Sequence, residues 1–407
     1  MTDKEILAKL AHEYAQAAHE CDHDYLSALY KGVNDLHMQR PIVLIDEVPW
    51  HEMNFDGSLT VQCEDPYLRS VETSMRRTLY QWKYFRADMI VAPFIGVSKV
   101  VEDSGVGVDA DEKTIDKGDG NNIVAHEYHD VLATDEDLAK MHLPAVSYNE
   151  AETMRRFQLL GDMIGDIIPV KIVGHNSYFG PWDKIARLRG VMPLLMDLAA
   201  NPEHSHKIID MHTKINLSYV KQFEALNLYE PHPYLTHCTA ALTDDLPGAD
   251  FDPAHVKAKN CWGRGMAQIF SEVSREMMEE FEINYNRQVL EQFGLVYYGC
   301  CEPLHNKIDL VEKIPNLRKI SITPWADVDV AAEVMGGRYV MSAKPNPSNL
   351  VGFDPATVRE ELTHIAQACA RHNVSFELVL KDISTVSGRP QNLFEWQKIA
   401  MEIVTNL

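Results

Sequence analysis

The chain has 407 residues, room for one elaborated α/β domain, and its 60 acidic against 38 basic residues give a formal charge of -22. That balance excludes nucleic acid and an anionic membrane as ordinary partners, because both recruit basic surfaces, and it fits a cytoplasmic protein. No apolar run approaches the roughly 18 residues of a membrane helix, Met1-Thr2-Asp3-Lys4-Glu5 opens a charged segment rather than a signal region, and seven cysteines without a framework fit reduced thiols.

In chain order, helical periodicity from Asp3 to Val33 predicts an N-terminal helical extension over residues 1–39, ahead of one larger domain over residues 40–407. Strand-length apolar runs follow at Pro41 to Ile45, Met89 to Phe94, Ile168 to Val173, Tyr234 to Cys238, Leu295 to Tyr298, Ile320 to Ile322, Tyr339 to Met341 and Phe376 to Leu380. Helical stretches separate most of them: Glu152 to Ile164, Lys184 to Ala200, Ser205 to Leu226, Trp262 to Gln292 and Pro355 to Arg371. Such alternation argues for a parallel sheet, and eight strands for a closed (β/α)8 TIM barrel. Val101 to Asp130, rich in Gly, Asp and Asn, reads as a long loop after the second strand, with Asp116, Gly118, Asp119 and Gly120 breaking any period. Its acids lack the EF-hand spacing, and Gly105-Val106-Gly107 lacks the third glycine of a dinucleotide fingerprint.

In a barrel of this kind the active site is built from residues just past each strand. Those positions are polar here: Asp46, Glu47 and Trp50; Phe94; His175, Asn176 and Tyr178; His237 and Cys238; Cys300, Cys301 and Glu302; Trp325 and Asp327; Lys344 and Asn346; Lys381 and Asp382. Cys300, Cys301, Glu302 and nearby His305 concentrate metal donors where a buried strand ends, and thiolate with imidazole favours zinc. Asp327 reads as a helix N-cap, His204 and His206 as surface residues at a helix start, and His19, Asp22 and His23 as solvated.

The order of segments resembles the uroporphyrinogen decarboxylase superfamily. Ile168-Pro169-Val170 through Gly174, Phe179-Gly180-Pro181-Trp182, Met196 to Pro202, Cys300, Ser321-Ile322-Thr323-Pro324-Trp325, Ala343-Lys344-Pro345-Asn346-Pro347 and Ser384 to Leu393 carry the likeness. It implies a (β/α)8 barrel and one of two chemistries: metal-free decarboxylation, or zinc-dependent methyl transfer involving corrinoid proteins. The decarboxylase's arginine-rich N-terminal signature is missing, leaving only Gln39-Arg40 before Pro41. The methyltransferases carry His-x-Cys after one strand and a second Cys near the last; here Tyr298-Gly299-Cys300 and Asp382 stand at those places.

Resemblance to the O-demethylase methyltransferases implies that one zinc per chain, held among His237, Cys300, Cys301, Glu302 and Asp382, acts as Lewis acid on a methoxylated, aromatic substrate. Cobalt(I) of a separate corrinoid protein would take the methyl group. Asp46, Glu47, His175 and Asn176 are the candidate catalytic groups, and Trp50, Phe94, Tyr178, Trp182 and Asn346 the candidate substrate contacts. Corrinoid is not expected to be resident, since Asp210-Met211-His212 has Ile215 where the cobalamin modules carry glycine. A metal-free decarboxylase, a non-catalytic corrinoid-handling protein and a homo-oligomer all remain open on the sequence.

Overall fold

The computed structural model describes residues 1–115 and 124–407. Eight parallel strands organise it: β1 (Ile42–Ile45), β2 (Ile95–Ser98), β3 (Val170–Val173), β4 (Trp262–Gly265), β5 (Leu295–Tyr298), β6 (Leu317–Ile322), β7 (Val340–Ala343) and β8 (Ser375–Leu380). Six form one sheet in the order β1-β8-β7-β6-β5-β4, while β2 and β3 form a second. The sheets meet at two points. Phe179, just past β3, bridges Gly265 at the end of β4, and Asp88, ahead of β2, donates its N–H to the Val43 carbonyl of β1 at 3.1 Å. First and last strands therefore pair as a barrel requires, but among the described residues no ladder joins β1 to β2 or β3 to β4, and a closed barrel is not formed.

A helix follows every strand, as parallel pairing demands: Pro66–Tyr84, Glu150–Ile164, Pro202–Ala225, Asn284–Leu290, Ile308–Val311, Val328–Met335, Pro355–Arg371 and Gln391–Thr405. Local chemistry fixes several of their starts. Asp354 accepts the N–H groups of Ala356 and Thr357 ahead of Pro355, and Val358, Leu362, Ile365 and Cys369 then recur along one buried face. Asp327 accepts the Val330 N–H, which is the N-cap expected of it. With helices outside and side chains packed inside, β5, β7 and β8 are buried at every position.

Several sequence expectations are corrected. Trp262 to Gln292 is not one helix: it opens with β4 and continues as short helical pieces from Gln268 to Leu290. Gly263 and Gly265 let the strand run against Phe293 and Leu290, where an added Cβ would come within 2.8 and 2.6 Å. The second strand forms at Ile95–Ser98, after Met89 to Phe94, so Phe94 precedes the strand and lies at the end away from the site. Tyr234 to Cys238 is no strand. It turns back on itself, with Leu235 bridging Ala240 and with His237 and Cys238 at positive φ. Lys184 to Ala200 divides into Pro181–Arg189 and Val191–Ala200 at Gly190, whose φ is 80°.

The N-terminal segment forms two helices, Asp3–Glu20 and His23–Asn34, broken where Asp22 caps the second by accepting the Tyr25 N–H. They pack onto the strands, with Tyr30 donating to the Asp88 carbonyl at 2.8 Å and Asn34 to that of Ala240 at 3.0 Å. His204 is buried rather than at the surface, its Nε2 against the Leu132 carbonyl at 3.0 Å. The stretch expected as a loop after β2 carries strands, Val101–Asp103 pairing with Val146–Tyr148 and Asp111–Ile115 with Ala125–His129. Asp116, Gly118, Asp119 and Gly120 lie outside the described residues. No helix among the described residues is long and apolar enough to cross a membrane.

Candidate functional site

The C-terminal ends of β1, β5 and β8, together with the turn at His237, converge. Leu380 accepts the Asp46 N–H at 2.9 Å, holding the end of β1 beside that of β8, and Glu47 Oε2 accepts the Asp382 N–H at 3.1 Å. Glu47, His237, Cys238 and Asp382 have φ of 48°, 34°, 51° and 54°. Four non-glycine residues in a left-handed conformation around one mouth mark a place where backbone strain is held for side-chain direction. Gly299, at φ 97°, turns the chain out of β5, and a Cβ there would meet Leu304 at 2.6 Å. Cys300 is then fixed from both sides of its peptide. Its N–H goes to Glu302 Oε2 at 2.9 Å, and its carbonyl accepts the Ser321 hydroxyl at 2.9 Å.

Sulfur, nitrogen and oxygen meet at this mouth. Cys300 Sγ lies 3.7 Å from Cys301 Sγ and 3.9 Å from His237 Nε2, Cys301 Sγ lies 3.2 Å from Asp382 Oδ2, and His237 Nε2 lies 3.9 Å from Glu47 Oε1. Lys381 stands among them. Its ammonium is 3.0 Å from Cys300 Sγ, 3.5 Å from Cys301 Sγ, 2.7 Å from Asp382 and 3.8 Å from Glu47.

The electrostatics follow from this packing. A hydrogen bond from Cys301, against the pull of burial and joined by His237 and Lys381, brings the Cys300 thiol down to about 3. The same contact pushes Cys301 up, so the pair shares one charge, on Cys300. Burial first and Asp382 second push Glu47 up to about 7. Burial works against Asp382 ionising, but Glu47 and Lys381 hold it at about 2.

Two spacings about Cys300 are close to those between the ligands of a metal. With bonds of about 2.3 Å to sulfur and about 2.0 Å to nitrogen, a tetrahedral zinc spaces two sulfurs by about 3.8 Å and sulfur from nitrogen by about 3.5 Å, against 3.7 and 3.9 Å here. Among the described residues, the three-donor group whose atoms all lie within 4.8 Å of one another is Glu47, His237 and Cys238, and it could hold an ion. Burial drives the Cys238 thiol up, so the ready thiolate is Cys300.

The remaining candidates divide. Glu302 belongs to the scaffold, its other oxygen accepting the Ala267 N–H at 3.0 Å, so both are committed to backbone. Trp50 lines, with Glu47 and Asp382, an open cavity of about 850 Å³ beside the mouth. Tyr178 is 41% exposed. His175 Nε2 meets the Lys99 carbonyl at 2.7 Å, Asn176 donates to that of Leu235 at 3.2 Å, and Asn346 caps the short helix Pro347–Leu350. Asp46 accepts the N–H of Glu47 at 2.8 Å. Trp182 is core, 1% exposed with its indole N–H on the Phe281 carbonyl at 3.0 Å, and Phe94 lies beneath Lys171. Sequence reasoning gave no role to Lys381, although its place beside Asp382 at a strand end was the available signal.

No protein-family model matches this chain, and neither does any curated protein. Among solved structures, a methyltransferase from Methanosarcina mazei superposes with a TM-score of 0.50 at 11% sequence identity, over 93% of this chain and 98% of that one. The likeness is one of fold. A B12-independent methionine synthase from Shewanella sp. W3-18-1, in complex with selenomethionine, gives a TM-score of 0.34 at 12% identity over 73% of this chain and 75% of its own, too distant to carry an argument.

Proposed function

We propose that this chain is a metal-dependent methyltransferase built on a barrel-like array of eight strands. In this reading it moves a methyl group from a small methoxylated substrate to the cobalt(I) of a separate corrinoid protein. The observation that carries the reading is that Cys300 Sγ lies near ligand spacing from both Cys301 Sγ and His237 Nε2 on the C-terminal face of the strands, beside the Glu47, His237 and Cys238 group that could hold an ion. His237, with Cys300 and Cys301 or with Glu47 and Cys238, would hold a zinc ion, and Asp382 stands beside Cys301 at the rim. Zinc would supply Lewis acidity toward an ether oxygen, stabilising the alkoxide or phenolate that departs.

The chain's own residues do the rest. Lys381 balances the charges of the Cys300 thiolate and the Asp382 carboxylate, which lie 3.0 and 2.7 Å from its ammonium. Glu47, whose carboxyl burial and Asp382 push up to about 7 before any metal binds, stands at the rim where it can give a proton to a departing oxygen. Trp50 and the exposed ring of Tyr178 offer flat apolar surface to an aromatic substrate. Trp325, 68% exposed and following β6 on the same face, suits the docking of a corrinoid protein over the mouth. The fold shared with a methyltransferase supports this reading.

One observation favours a second reading. The Lys381 ammonium already sits where a cation would balance these donors, which suits a metal-free decarboxylase or a corrinoid-handling protein. Elemental analysis of anaerobically purified protein separates the two. About one zinc per chain, lost from Cys300→Ala/Cys301→Ala, is the expected result; no metal in the unaltered protein, or carbon dioxide release independent of a corrinoid protein, sinks the methyltransferase reading.

A further inference from the structure

The strands enclose four cations, and two of them are matched. Lys319 pairs with Glu377 at 3.3 Å, neither side chain being exposed, and Lys381 answers Cys300 and Asp382. Arg264 and Lys344 have no carboxylate within 4.0 Å among the described residues. Arg264 is 1% exposed, its Nε has no partner, and its one hydrogen bond among the described residues runs from Nη2 to the Met266 sulfur at 3.9 Å, a weak acceptor. Lys344, 4% exposed, reaches only the Ser342 hydroxyl at 2.7 Å and the Cys238 carbonyl at 3.3 Å.

Both cations stand at one ring. The Arg264 guanidinium carbon is 5.8 Å and the Lys344 nitrogen 5.7 Å from the centroid of Tyr297, and Arg264 is also 4.9 Å from that of Tyr178. These contacts offset part of the cost of burying charge, but they supply no oxygen acceptor to the guanidinium N–H groups, which can grip a carboxylate bidentately. Register sets Arg264 near the strand ends that carry the site. Arg264 pairs with Tyr297 one level below Gly265 and Tyr298, and Cys300 follows Tyr298 by two residues. Tyr178, packed on Arg264 and 41% exposed, connects it with the open face.

We propose that Arg264, assisted by Lys344, anchors a carboxylate of the substrate, so that the methyl donor is a methoxylated acid rather than a neutral ether. The inference rests on the methyl-transfer reading of the site. Binding to the intact chain, followed by calorimetry with 4-methoxybenzoate and with its neutral counterpart 4-methoxybenzamide, tests it. The acid is expected to bind at least about tenfold more tightly than the amide. Arg264→Gln removes most of that preference and Arg264→Lys restores part of it. Lys344→Gln weakens it independently, which keeps the test open if an Arg264 variant fails to fold.

Equal binding of acid and amide, binding of neither, a preference unchanged in Arg264→Gln and Lys344→Gln, or tighter binding of inorganic phosphate than of the acid overturns the anchor. Metal content and methyl transfer, measured separately on the unaltered protein, judge the parent reading. An acid preference that depends on Arg264 stands whether or not a metal is found.

Discussion

Of the seven cysteines, Cys300 alone is drawn toward the thiolate. Burial lifts Cys21, Cys63, Cys238, Cys261 and Cys369, and Cys301 is lifted by the sulfur beside it. Metal-free protein at about pH 6 should therefore show one thiolate per chain by ultraviolet absorbance, a state that needs a cation or donor beside the sulfur. Cys300→Ser should abolish that signal, and Cys301→Ala and Lys381→Met, which remove a donor and a cation beside the sulfur, should each move its midpoint toward higher pH; absorbance unchanged in Cys300→Ser refutes the assignment. The sequence placed Cys300, Cys301, His237, Glu47 and Asp382 at strand ends without showing that they touch. Trp182 and Phe94 were misplaced because an aromatic side chain reads the same in a core and in a pocket.

Elements with a clear period were legible. Leu295–Tyr298, Val328–Met335 and Pro355–Arg371 form where the pattern and the caps put them. β4 was not, because Trp262-Gly263-Arg264-Gly265 has no apolar alternation and merges with the helical pattern that follows. Its glycines are steric requirements. Gly263→Ala would drive a Cβ to within 2.8 Å of Phe293, an overpacking expected to cost about 1–3 kcal/mol. A urea-unfolding midpoint equal to that of the unaltered protein would show that Phe293 yields freely. Missing this strand also hid Arg264, which a helix reading sends to solvent.

At the scale of the whole molecule, the strand array holds charge in its interior. Glu377 on β8 meets Lys319 on β6, and also takes the Ala240 N–H at 3.1 Å and the Ser342 hydroxyl at 2.5 Å. Glu377→Ala should destabilise by about 3–5 kcal/mol, because it strands the Lys319 ammonium, whereas Glu377→Leu with Lys319→Met should cost much less than the two single changes together. Additive losses in chemical denaturation would mean that the pair is not coupled. Composition, period and caps determined by themselves that strands alternate with helices and that donors cluster at strand ends, since these are local properties of consecutive residues. Tertiary structure alone decided which ends converge, that Lys381 serves as counterion to Cys300, and that Arg264 has no carboxylate partner among the described residues. Those facts depend on register between strands far apart in the chain, and no local pattern fixes that register.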